Sequence, residues 1–224
     1  MTDKKYYEAY DERYKTAHSL GMCWFSDTAS PILSEIIQGY MISKCAEILE
    51  IGCGEGRDAY PLLKSGYRLL ASDVSLEAIQ FCRAKWPSYR ESFQVVDCVK
   101  DELRDRYDFI YAIAVLHMLV SDEDRDAFYS FIHRHLKENG IALICSMGDG
   151  QDERASDVKT AFDLQERECR GKKLLVAGTS CRIVSSTTFK REIERNGFSI
   201  LQTAITSIPN EFSSMLYAVI QKNE

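Results

Sequence analysis

The chain has 224 residues, 45% hydrophobic and 28% charged, enough for one domain with a single core and too apolar for a disordered chain. Thirty-four acids against 28 bases leave a net charge of -6, the wrong sign for a protein whose main partner is a nucleic acid.

The N-terminal residues carry charges but no apolar core of a secretory signal, and the longest charge-free apolar run, 109–120, is too short for a bilayer. The eight cysteines contain no C-x-x-C pair and mostly sit in apolar segments, so they read as reduced packing thiols. A soluble cytoplasmic protein with no membrane partner is expected. His133 and His135, two apart on a helix, face different ways, so no metal is expected either.

Along the chain, residues 3–20 place Tyr7, Tyr10 and Tyr14 at i, i+3, i+7 spacing and predict an amphipathic helix on the body. Ser30-Pro31 starts a second helix with Pro at its first position. From residue 46 short apolar runs alternate with helical stretches. Strands are predicted at 46–51, 68–72, 92–96, 109–115 and 141–146. Helices are predicted at 57–65, after the cap Ser75, and from Ser121 to a stop at Asn139-Gly140. Residues 148–182 interrupt the rhythm with a polar insertion, a lid or merely a solvated excursion, with one helical face (Val158, Ala161, Phe162, Gln165). A helix at 187–195 and two strands at 198–205 and 215–221, joined through Pro209, close the chain as an antiparallel hairpin.

The expected fold is therefore α/β: a Rossmann-like, doubly wound, seven-stranded sheet, mostly parallel, with the hairpin at its C-terminal end. One domain is expected, divided into an N-terminal helical cap (1–45), a cofactor-binding core (46–147), the insertion (148–182) and a C-terminal helix and hairpin (183–224).

The most informative segment is Glu50-Ile-Gly52-Cys53-Gly54-Glu-Gly56-Arg57, a strand leading through a glycine turn into a helix. Twenty-one residues after Gly52, Asp73 ends the second strand, placed to accept hydrogen bonds from a ribose. A dinucleotide fingerprint needs G-x-G-x-x-G/A. Here the third position is Arg57 and the glycines run G-x-G-x-G, which favours an adenosine cofactor without a pyrophosphate over NAD.

The glycine motif resembles the first motif of class I S-adenosylmethionine-dependent methyltransferases, and Asp73 matches that family's ribose acid. Val95-Val96-Asp97-Cys98 resembles the adenine motif, 107–117 the fourth-strand motif and 136–144 the signature leading into strand five. The Gly-Arg57-Asp58 continuation is similar to small-molecule branches of the tellurite-resistance and thiopurine type. The resemblance implies S-adenosylmethionine as cofactor, held by Glu50, Gly52, Cys53, Gly54, Gly56, Arg57, Asp73, Val74, Asp97, Cys98 and Ala114. It also implies a small-molecule methyl acceptor.

Methyl transfer from a sulfonium needs positioning more than a catalytic triad. If the acceptor must lose a proton, His117 after the fourth strand is the candidate base; its alternative is a satisfied core residue. Tyr14, Trp24 and Phe25 are candidate substrate residues, or else anchors of the N-terminal segment. A non-catalytic member of the same fold and an NAD-dependent oxidoreductase remain as alternatives. Nothing in the sequence specifies the oligomeric state.

Overall fold

Ile48, Leu49, Glu50 and Ile51 are all buried, so the strand they form has no solvent face; parallel strands covered on both sides read this way. A computed structural model describes residues 4–223. Its elements are α1 (Ala9–Ser19), preceded by a 3-10 turn at Tyr6–Glu8, α2 (Pro31–Gly39), β1 (Glu47–Ile51), α3 (Ala59–Lys64), β2 (Arg68–Asp73) and α4 (Leu76–Lys85). β3 (Phe93–Val95), β4 (Tyr107–Ile113), α5 (Asp122–His135) and β5 (Leu136–Met147) complete the core. The insertion holds β6 (Arg154–Ala155), β7 (Leu164–Cys169), β8 (Lys172–Ala177) and β9 (Arg182–Ile183); α6 (Ser186–Arg195), β10 (Phe198–Ile208) and β11 (Phe212–Lys222) follow.

Seven strands form one sheet in the order β10-β11-β5-β4-β1-β2-β3, with β1 to β5 parallel and β11 antiparallel to both β5 and β10. Phe128, Ile132, Phe189 and Ile193 of α5 and α6 cover one face. Ile32, Ile36, Leu63 and Ile79 of α2, α3 and α4 cover the other. The direction of winding reverses at β1, between β2 and β4, and in sheets of this type ligands bind at the carboxyl end of the strands beside such a point. The predicted caps hold, with Ser75 Oγ accepting from Ala78 N–H and Ser121 Oγ from Asp124 N–H, both at 3.1 Å. No helix among the described residues is long and apolar enough to cross a membrane.

Two local expectations are corrected. α5 stops at His135 rather than at Asn139-Gly140, because Leu136 is already extended (φ -79°, ψ 137°) and pairs with Tyr107. The register then jumps to Phe109–Ile141, leaving Asn139-Gly140 in a bulge inside β5. Glycine is needed there for close approach, since a Cβ on Gly140 would lie 3.0 Å from the Asp108 carbonyl oxygen. In the insertion the expected helical face is reduced to a 3-10 turn at Val158–Thr160. β7 and β8 instead form a hairpin through Arg170-Gly171, both with positive φ, the two-residue turn whose twist matches paired strands.

Candidate active site

At the end of β1 the chain turns through Gly52 (φ +74°), and the N–H groups of Gly52 and Cys53 both donate to the Ser72 carbonyl, at 2.7 and 2.8 Å. Gly54 (φ +51°) donates its N–H to Asp73 Oδ2 at 2.8 Å, while Asp73 Oδ1 accepts from Ser75 N–H at 2.8 Å. Burial pushes the Asp73 carboxyl up to about 6 even against these two donors. Glu50, buried under the loop, accepts from the Tyr111 hydroxyl at 3.0 Å, and its pKa is also raised by burial. Gly56 has a different duty. A Cβ there would stand 2.3 Å from the Trp86 indole, so this glycine admits Trp86 against the back of the loop.

All of the predicted cofactor residues among these but Gly56 border a cavity that opens to solvent at the carboxyl end of the strands. Glu50 lines it from β1, Gly52, Cys53, Gly54 and Arg57 from the glycine loop, Asp73 and Val74 from the end of β2 and the residue after it, Asp97 and Cys98 from the segment after β3, and Ala114 from just beyond β4. Ala114 has φ +64°, a strained value for a residue with a side chain, and is held by its N–H on the Cys145 carbonyl at 3.0 Å. Asp97 is engaged from three sides: by Val99 N–H at 2.9 Å, the Tyr7 hydroxyl at 3.0 Å and Lys100 Nζ at 3.1 Å. Burial pushes the Cys53 thiol well above its usual range, which suits packing and not nucleophilic attack.

Arg57 keeps its expected place at the cavity, whereas Trp24 and His117 lie outside it. Arg57 lines the cavity, but its guanidinium pairs with the Asp58 carboxylate at 3.1 Å and with Glu211 in the β10–β11 turn. Trp24 lies outside the lining, with its ring under the Arg13 guanidinium at 4.7 Å and packed against Cys169, Leu174 and Val176 of the insertion hairpin. His117 is outside it as well. It is buried, its Nδ1 accepts from Met147 N–H at 3.3 Å, and its ring meets Phe212 edge-on at 5.8 Å between centroids. Burial, with a contribution from Arg125, lowers its pKa to about 4. Tyr14 and Phe25, by contrast, do line the cavity.

Sequence reasoning missed Tyr7, Glu55, Asp58 and Phe212, which also face the cavity. The tyrosine spacing placed Tyr7 on a helix without saying what the helix covers. Phe212 arrives from the C-terminal hairpin and carries no local signal at all.

Residues 48–140 match the methyltransferase domain family, and that match decides between the two cofactor classes the glycine loop allows. The chain carries a methyltransferase domain. Its fold is the class I fold, and S-adenosylmethionine is the cofactor of this kind of methyltransferase. Among relatives, a protein-lysine N-methyltransferase of Saccharomyces cerevisiae is 27% identical over 160 residues, 62% of this chain and 70% of that one. A ubiquinone biosynthesis O-methyltransferase of Rickettsia canadensis is 27% identical over 118 residues, 52% of this chain and 49% of the relative. Among solved structures, the 1,6-didemethyltoxoflavin-N1-methyltransferase of Burkholderia thailandensis, with bound 1,6-didemethyltoxoflavin and S-adenosylhomocysteine, superposes with a TM-score of 0.71. That superposition covers 96% of this methyltransferase and 88% of the other, at 16% identity.

Proposed function

We propose that this methyltransferase acts on a small, largely apolar acceptor that enters beside Phe25 and Phe212. The observation that carries the proposal is the cavity's mixed lining. The acids Asp73 and Asp97 of the family-matched core share it with the rings of Phe25 and Phe212, which come from outside residues 48–140. In this reading Asp73 accepts from the ribose hydroxyls, and Asp97 with the Cys98 N–H meets the adenine. Glu50, Gly52 and the strained turn at Ala114 border the methionine part. Arg57 holds the wall through Asp58 and Glu211 and leaves its remaining N–H groups to the cofactor carboxylate.

The cofactor supplies an activated methyl group, so the protein's share is alignment and exclusion of water. Tyr7, Tyr10 and Tyr14 of the N-terminal segment add three more aromatic rings to the lining, which suits a small apolar acceptor. His117 is buried outside the lining, which favours an acceptor atom that needs no base, such as a neutral amine or a ring nitrogen. With no disulfide among its eight cysteines, the chain suits the cytoplasm.

Calorimetry with S-adenosylhomocysteine, followed by a methylation screen comparing apolar heterocycles with lysine peptides, tests the proposal. Product from the heterocycles supports it, whereas product from the peptides alone would place the acceptor class with the lysine methyltransferases. Tight cofactor binding without any product would favour the non-catalytic alternative.

A further inference from the structure

Glu55 follows Gly54 in the glycine loop, and its carboxylate is spent on the N-terminal segment. It is 6% exposed. Oε1 accepts from Trp24 N–H at 2.8 Å and lies 2.8 Å from His18 Nε2, while Oε2 accepts from Phe25 N–H at 2.8 Å. The next amide, Ser26 N–H, donates to Glu211 Oε1 at 2.7 Å, and the other Glu211 oxygen pairs with Arg57. Three consecutive amides, 24 to 26, thus rest on two carboxylates anchored at the loop and the hairpin turn. The side chain between those anchors, Phe25, is one that enters the cavity.

The second arm runs through α1. His18 Nδ1 lies 2.8 Å from Glu77 Oε1 in the first turn of α4, and its ring stacks on Phe81 at 4.4 Å. One helical turn before His18 stands Tyr14, whose hydroxyl sits 2.7 Å from where a Cβ on Gly54 would be. A single side chain therefore fixes both Tyr14, through His18, and Phe25, through its own amide, against the loop that carries Gly54 and Asp73.

We infer that Glu55 is a positioning residue that assembles the wall of Tyr14 and Phe25 over the cofactor cavity; its meaning for catalysis rests on the function proposed above. A carboxylate suits the task because it only accepts, and its partners here are two amides and an imidazole nitrogen. A glutamine keeps the shape but offers one acceptor oxygen where two are in use, leaving a buried N–H against an NH2.

The test uses the full chain with Trp86→Phe, so that Trp24 is the only indole of the two present. Glu55→Gln is expected to raise acrylamide quenching of Trp24 about threefold before any cofactor is added, because the amide that holds Trp24 is released. In stopped flow, S-adenosylhomocysteine is expected to enter and leave about tenfold faster while the dissociation constant moves by less than about threefold, the signature of a loosened cover. A side chain that only stabilised the fold would lower the melting temperature and leave both rates alone. Loss of a direct contact would speed dissociation only. Glu77→Ala, which frees only the outer nitrogen of His18, should shift quenching and rates in the same direction more weakly, and it carries the test if Glu55→Gln does not fold. Unchanged quenching and unchanged rates in the folded variant would overturn the inference. Failure of the parent chain to bind S-adenosylhomocysteine would instead count against the proposed function, with the quenching measurement still reading Glu55.

Discussion

Asp73 should make folding and cofactor binding respond to acid in opposite directions. Its carboxyl titrates at about 6 in the folded chain against an ordinary 3.8, and that difference is worth about 3 kcal/mol between the two protonation states. The cause is burial, offset in part by the Gly54 and Ser75 amides. For an acid whose folded pKa is raised, the native state binds the extra proton, so stability increases as pH falls through 6 and levels off near 3.8. From pH 7 to pH 5 this one group contributes about 1.3 kcal/mol of added stability. The ribose, if Asp73 holds it, prefers the ionised form as acceptor, so over the same interval the proton competes and affinity drops about tenfold.

The measurement is a pair of titrations at pH 5, 6 and 7, urea unfolding for stability and calorimetry with S-adenosylhomocysteine for affinity. Both are run on the natural chain and on Asp73→Asn. The variant loses one amide contact at every pH, a cost of about 1–3 kcal/mol, but has no proton to gain. Subtracting its slope from that of the natural chain isolates Asp73 from Glu50 and the surface carboxylates. Equal slopes in the two proteins would refute the assigned burial. An affinity that stays flat from pH 7 to 5 would remove Asp73 from the ribose.

Other perturbations check neighbouring parts of the structure. His117→Gln should leave turnover within about threefold, since the ring is buried outside the cavity lining; a loss near the 100-fold typical of a removed general base would restore it to the chemistry. Gly56→Ala, strained at φ +79° and 2.3 Å from the Trp86 ring, should lower stability by about 1–3 kcal/mol in thermal melts. Trp86→Leu should recover part of that loss in the double variant. Arg125 and Glu192 form a fully buried pair at 2.5 Å, and Arg125 also donates to the carbonyls of Leu116 and Leu119. Arg125→Met should therefore cost about 3–5 kcal/mol by leaving the buried Glu192 carboxylate with only the more distant Arg182, at 3.7 Å, and adding Glu192→Leu should return much of it.

The cofactor half of the site could be read from sequence because its requirements are local. A glycine that must hold φ +74° beside Val115, and an acid that must end β2 one strand away, leave their marks within about 25 residues of chain. Helix caps at Ser75 and Ser121 are local in the same sense. Most of what failed depended on contacts the sequence does not bring near. The stop at His135 is set by β5 reaching Tyr107, whereas the insertion hairpin folds on a local turn at Arg170-Gly171 that apolar spacing does not reveal. Arg57 shows the difference most clearly, because its neighbour Asp58 was visible but its second partner, Glu211, lies 154 residues away. The same distance hid Phe212 from view. A methyltransferase can keep one cofactor while changing its acceptor because the two are specified by different physics. Ribose and adenine are met by backbone and acids at strand ends, which the fold fixes. The acceptor is met by side chains that the N-terminal segment and the last hairpin bring together, where a change of one aromatic residue alters the pocket without disturbing β1 or Asp73.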